Sequence, residues 1–212
     1  MKTLIIFLSF ILLVAIQAQT VYEVQPGKKG NQIKLTVSNI SETEQAQNVK
    51  ITLLKQSSFV AFKNETETVE TIEPCKEELI TFTFDINRIA PVNKKDTIDF
   101  MITDANGTSV MKSFIFSYIP PKEFKLEQNF PNPFNPTTTI QYQLPADSKV
   151  TLMVYDILGS EVTTLVNEEQ EAGYKEVKFN GSQFSSGVYV YRLIAGPSAD
   201  GFISTKKMMI VK

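Results

Sequence analysis

Apolar and polar residues alternate one by one along most of the chain beyond residue 20. In N-Q-I-K-L-T-V-S-N, Ile33, Leu35 and Val37 fall on one side and Lys34, Thr36 and Ser38 on the other. Val49, Ile51 and Leu53 alternate with Lys50 and Thr52, and Ile80, Phe82, Phe84 and Ile86 with Thr81, Thr83 and Asp85. Ile98, Phe100 and Ile102 share a side, as do Phe114, Phe116 and Tyr118. A period of two sends successive side chains to opposite faces of a strand. Each run therefore predicts a strand with one buried and one wetted face, which favours antiparallel pairing. Turn signals such as Pro26-Gly27 and Asp104-Ala105-Asn106-Gly107 separate the runs. Residues 19–118 are expected to form a sandwich of about seven short strands.

The alternation breaks where Pro120, Pro121, Pro131, Pro133 and Pro136 gather, half of the chain's ten prolines. Proline fixes its own φ, lacks an N–H and pushes the residue before it towards extended geometry. Residues 119–123 read as a linker stiffened by Pro120-Pro121. From 124 to 212 the strand pattern returns in T-T-I-Q-Y-Q-L, K-V-T-L-M-V-Y-D, E-V-T-T-L-V, Y-K-E-V-K-F, V-Y-V-Y-R-L-I-A and F-I-S-T-K-K-M-M-I-V-K. The fold expected is all-β, with two tandem antiparallel sandwiches.

Residues 1–18 follow a different rule. Lys2 is followed by a nearly unbroken apolar run from Leu4 to Ile16, then Gln17 and the small Ala18. A positive start, an apolar middle and a small residue before a cut make a secretory signal peptide, with cleavage expected between Ala18 and Gln19. The run is shorter than the roughly 20 apolar residues of a spanning helix, so no transmembrane helix is expected in the mature chain.

Composition narrows the chemistry. The chain has 21 basic and 23 acidic residues, a net charge of −2, and no basic stripe to hold phosphates, which argues against nucleic-acid binding. It has no His, no Trp and one Cys. A Ser-His or Cys-His pair, an imidazole metal site and an internal disulfide are thereby excluded. The acidic residues Glu65, Glu67, Glu70, Glu73, Glu77 and Glu78 lie near Lys63 and Lys76 and read as a solvated surface. Asp104–Thr108 reads as a hairpin turn and not as a calcium loop, for it lacks the later bidentate acid. No catalytic residue, metal or cofactor is expected, and the chain is not expected to be an enzyme.

One group of motifs points to a family. L-E-Q-N-F-P-N-P-F-N-P-T-T-T-I-Q-Y-Q-L-P is followed by V-Y-D-I-L-G at 154–159 and the pair Leu165-Val166. E-A-G-Y at 171–174, S-S-G-V-Y-V-Y-R-L at 185–193 and the terminal K-K-M-M-I-V-K complete the series. In this order and spacing, residues 124–212 resemble the type A C-terminal sorting domain of the type IX secretion system. The departure is Phe179-Asn180, where many relatives carry Trp-Asp. The resemblance implies an immunoglobulin-like sandwich. It also implies partners: an outer-membrane translocon, a cell-surface sortase and a surface lipopolysaccharide as anchor. The implied location is the outer-membrane surface or the medium, reached through the periplasm. The residues carried over as the sorting-signal motif are Asn129, Pro131, Asn132, Pro133, Asn135, Pro136, Asp156, Gly159, Gly173, Gly187, Tyr189, Lys207 and Lys212.

Residues of the P-N-P-F-N-P segment that precede prolines are expected to hold it extended, lowering the entropy a receptor must remove. The 19–118 segment loosely resembles bacterial immunoglobulin-like or fibronectin-type-III-like domains. A non-catalytic module for surface interaction or adhesion is the leading expectation for it. A carbohydrate-binding module using Tyr22, Phe59 and Phe62 is the alternative, and a small carboxylate-based hydrolase a third.

Overall fold

A computed structural model describes residues 4–7, 21–196 and 201–212. The expected cut at Ala18 and Gln19 lies outside the described residues. The chain divides into two compact units, one reaching to Asn87 with Asn93–Tyr118, the other made of Arg88–Val92 and Ile119–Lys212. The described secondary structure is strand throughout, without helix.

The first unit contains β1 (Leu4–Phe7), β2 (Val21–Val24), β3 (Asn31–Ser38), β4 (Ala46–Lys55), β5 (Val60–Phe62), β6 (Thr66–Ile72), β7 (Glu77–Ile86), β8 (Lys95–Thr103) and β9 (Ser109–Tyr118). They form two sheets, ordered β1-β3-β7-β5 and β2-β9-β8-β4-β6. The alternation read from the sequence sets which side is buried: Ile33, Leu35 and Val37, then Ile80, Phe82, Phe84 and Ile86, face Ile98, Phe100 and Ile102 with Phe114 and Phe116. Rings meet across the gap, Phe82 against Phe100 at 4.7 Å and Phe84 against Phe116 at 5.1 Å.

Two features depart from the antiparallel expectation. β2 runs parallel to β9 and β1 parallel to β3, each an added edge strand. Glu67 and Glu70 lie on strand β6, which pairs antiparallel with β4 in one constant register, from Ala46 opposite Ile72 to Thr52 opposite Thr66. Asn48 takes up a left-handed φ of 51° there, which an Asn tolerates better than most residues.

The second unit contains β10 (Lys125–Leu126), β11 (Thr137–Leu144), β12 (Ser148–Tyr155), β13 (Glu161–Gln170), β14 (Gly173–Asn180), β15 (Gly187–Gly196) and β16 (Phe202–Ile210). Its sheets are ordered β10-β11-β14 and β13-β12-β15-β16. Ile140, Tyr142 and Leu144 from the smaller sheet close on Val150, Leu152, Val154, Tyr191, Leu193, Met208 and Ile210 from the larger. Phe179 is buried and stacks on Phe184 at 5.7 Å.

Candidate functional site: the Asn129–Pro136 loop and the end it closes

The loop between β10 and β11 is tied to the rest of the second unit by backbone bonds at both ends. Phe130 bridges Thr139 on β11, and four residues later Phe134 bridges Ile210 on β16 in parallel. The Phe134 N–H donates to the Met209 carbonyl at 3.0 Å, and the Val211 N–H donates to the Phe134 carbonyl at 3.0 Å. The segment thus crosses from one sheet to the other instead of running straight, with cis peptides at Phe130-Pro131, Asn132-Pro133 and Asn135-Pro136.

Asn129 is the centre of this loop and is only 2% exposed. Its amide donates to the Pro131 carbonyl at 3.1 Å and to Thr138 Oγ1 at 3.0 Å, while its Oδ1 accepts from Gln128 Nε2 at 2.7 Å. Thr138 Oγ1 donates in turn to the Pro131 carbonyl at 2.8 Å. The Asn129 N–H donates to the Tyr191 hydroxyl at 2.8 Å, and that hydroxyl donates to the Glu127 carbonyl at 2.9 Å. Every polar atom of the Asn129 side chain is therefore matched, as a buried amide requires. Gln128 Nε2 also donates to the Lys207 carbonyl at 2.7 Å, and Asn132 Oδ1 accepts from the Met209 N–H at 2.9 Å.

Burial, the larger influence, pushes the Tyr191 phenol up to about 12 and the Tyr142 phenol up to about 12. The native state therefore holds these protons at pH values where an unfolded chain, with phenols near about 10, releases them. Stability from the neutral phenols is complete below about pH 10 and is lost as pH rises towards 12. The expected result is a denaturant midpoint for the second unit that falls steadily across that window, with phenolate absorbance appearing together with unfolding. A flat midpoint up to pH 12 contradicts it.

The remaining motif residues gather at the same end, with one exception. Asp156 and Gly159 form the turn from β12 to β13, just beyond the register pair Tyr155–Val190. Gly187 begins β15 opposite Ile210, and the Tyr189 hydroxyl donates to the Ser185 carbonyl at 3.0 Å. Lys212 donates from its N–H to Ser186 Oγ at 3.1 Å and from Nζ to the Ser182 carbonyl at 2.8 Å. Asn132, Pro133, Asn135, Pro136 and Lys207 are exposed on this end or beside it. Gly173 is the exception: it pairs with Leu144 at the opposite end.

Four participants stand outside the set of residues carried over as the signal: Thr138, Tyr191 and Phe134, which lie within the quoted motif strings, and Gly181, which does not. The Gly181 N–H donates to the Pro136 carbonyl at 2.7 Å, and a Cβ there would sit 2.9 Å from Ile210 Cδ1 and 3.1 Å from Phe134 Cε2. The bare backbone lets the loop close. A glycine two residues after the aromatic of β14 is the signal that the sequence offers.

The segment that forms this end has a counterpart among known families. Residues 128–211 match the model of the secretion system C-terminal sorting domain. The sorting domain supports type IX secretion-dependent export to the cell surface or the extracellular space, and implies interaction with that machinery. Among curated proteins none matches the chain. Among solved structures, dimeric latent PorU from Porphyromonas gingivalis is 16% identical over 93% of this chain and 19% of its own, with a TM-score of 0.36. The chain thus spans about a fifth of that protein's length. The CupB2 chaperone of Pseudomonas aeruginosa is 12% identical over 92% of this chain and 99% of its own, with a TM-score of 0.32. The calcium-binding domain CBD12 of CALX1.1 is 9% identical over 90% and 97%, with a TM-score of 0.39.

The first unit presents a plainer picture. The ring of Tyr22 lies 5.7 Å from Phe114, Phe59 lies 6.4 Å from Tyr118, and Phe62 packs on Phe82, Phe84 and Phe100. Each of the three rings considered as a sugar platform is thus partly engaged by core aromatics. The Asp104 carboxylate is taken up within its own turn, Oδ1 by the N–H groups of Asn106 and Thr108 and Oδ2 by Thr108 Oγ1.

Proposed function

We propose that the chain is an export cargo with two address labels. Residues 1–18 are a secretory signal peptide removed between Ala18 and Gln19, which carries the chain into the periplasm. Residues 124–212 are then read by the outer-membrane translocon and a cell-surface sortase, with attachment to surface lipopolysaccharide or release into the medium as the outcome. Residues 19–118 travel as an immunoglobulin-like, non-catalytic module for surface interaction or adhesion. The match of 128–211 to the sorting-domain family carries this reading. It is supported by the second unit's own hydrophobic core, which lets the label act apart from the passenger. The two facing sheets of the first unit, with β2 parallel to β9, support the immunoglobulin-like assignment of the passenger.

Deletion of residues 124–212 in the native host is expected to hold the chain inside the outer membrane, as read by cell fractionation. Surface or medium levels equal to the intact chain's sink the proposal.

A further inference from the structure

The turn from β12 to β13 exposes two large apolar side chains, Ile157 at 75% and Leu158 at 85%. It is a stiff support. Asp156 Oδ1 accepts from the Leu158 N–H at 2.9 Å and the Ser160 N–H at 3.0 Å. The Asp156 N–H donates to the Ser160 carbonyl at 3.0 Å and the Gly159 N–H to the Asp156 carbonyl at 3.2 Å. Gly159 has a φ of 83°, which a side chain would resist.

The same turn occurs in the first unit. Asp104-Ala105-Asn106-Gly107-Thr108 repeats the two carboxylate bonds, the two backbone bonds and the glycine, with Gly107 at φ 88°. That copy displays Ala105 and Asn106 where the second unit displays Ile157 and Leu158. The turn therefore does not require apolar residues at its tip, and neither tip residue of the second unit supports its core. Two bare apolar side chains on a rigid turn lose little further entropy on docking and gain by leaving water.

Other exposed apolar residues lie at the same end. Phe130 is 82% exposed, between Asn129, bonded to Tyr191, and Asn132, bonded to Met209. Val188 and Met209 face each other across β15 and β16, and Val211 follows. β12 and β16 are two strand spacings apart, about 10 Å, so one partner surface can span the band.

We infer that Ile157 and Leu158 are the apolar anchor by which the second unit docks into a nonpolar pocket of its protein receptor in the export machinery. This deepens the sorting reading and rests on it. The buried loop residues build the end, and the Ile157-Leu158 tip is what a receptor touches. Anchors of this kind, rigid and central in a dry pocket, carry most of an interface's energy.

The test transplants the first unit's own tip, as Ile157→Ala/Leu158→Asn, into the full chain in the native host. Surface and medium levels are expected to fall about ten-fold or more, with the chain retained in the periplasm and the thermal midpoint of the purified chain unchanged. The reciprocal Ala105→Ile/Asn106→Leu is expected to leave export unaltered. Should the first exchange lower the midpoint, Ile157→Gln/Leu158→Gln replaces it under the same readout. Wild-type export of a stable tip variant, alongside retention of the 124–212 deletion, overturns the anchor and leaves the sorting reading standing. Export of the deletion itself overturns both. Sedimentation of the chain with phosphatidylethanolamine–phosphatidylglycerol vesicles, lost in the tip variant, makes the partner a lipid surface and also overturns the proposal.

Discussion

Phe134→Ala is expected to destabilise the second unit by about 3–5 kcal/mol, the usual cost of removing a fully packed ring. Phe134 is 2% exposed, lies 5.9 Å edge-on to Phe179, and would contact any Cβ placed at Gly181. Its backbone bonds to Met209 and Val211 survive the substitution, so the loss isolates the ring. The cavity would open between the loop and β16, where a short segment between prolines has little freedom to collapse inwards. Denaturant unfolding of the full chain, followed by hydrogen exchange of amides in β15 and β16, reads the effect. Phe134→Leu, which keeps most of the apolar volume, is expected to retain a large part of the stability. An unchanged midpoint for the alanine variant would falsify the view that this side chain joins loop to strand.

The second large effect is expected from Asn129→Asp, a change of one atom. The Asn129 Nδ2 donates to the Pro131 carbonyl and to Thr138 Oγ1. A carboxylate can only accept, so it would face the Pro131 carbonyl oxygen with no proton between them and carry charge into a buried site. The expected loss is about 3–5 kcal/mol at neutral pH, larger than the 2–3 kcal/mol or so for Asn129→Ala, which leaves unmet groups but adds no charge. The pH dependence gives a second signature. Burial raises the introduced carboxyl's pKa, so the native variant binds its proton more tightly than the unfolded chain. Stability is therefore greatest below the ordinary carboxyl value near 4 and falls as pH rises through the raised one. Equal midpoints for the aspartate and alanine variants, without pH dependence, would show that the amide's donors do not matter.

The strands were legible because their signal is local. Ile80, Phe82, Phe84 and Ile86 all turn inward, as do Ile98, Phe100 and Ile102, since alternation alone decides which face is buried. The edge strands were not. Thr66–Ile72 alternates Glu67 and Val69 with threonines and a glutamate, and such a strand is recognisable only once β4 supplies its partner. Parallel entry of Val21–Val24 beside β9 is likewise invisible, because four residues carry no information about direction.

The site divides along the same line. Pro131, Pro133 and Pro136 announced a special loop through their own covalent restrictions. The bonds that hold it depend on residues far away in sequence: Asn129 with Tyr191, Asn132 with Met209, Gln128 with Lys207. Nothing near Thr138 marks its hydroxyl as the link between Asn129 and Pro131. The resemblance had picked out Asn129 as part of a signal, yet at 2% exposure it shapes the end of the unit from within.

The loop and the strand it clasps are 77 residues apart in the chain, as the Asn132–Met209 bond shows. Closing a loop of that length costs chain entropy that the loop's own short-range bonds do not supply. The end that carries the apolar tip is completed by residues from both extremes of the second unit, so a receptor that reads this outline reads conformation as well as sequence. A chain still threading through a membrane, or cut short before β16, would lack that outline even with every earlier motif residue present. The clasp between loop and strand thus makes the outline of this end depend on the presence of β16.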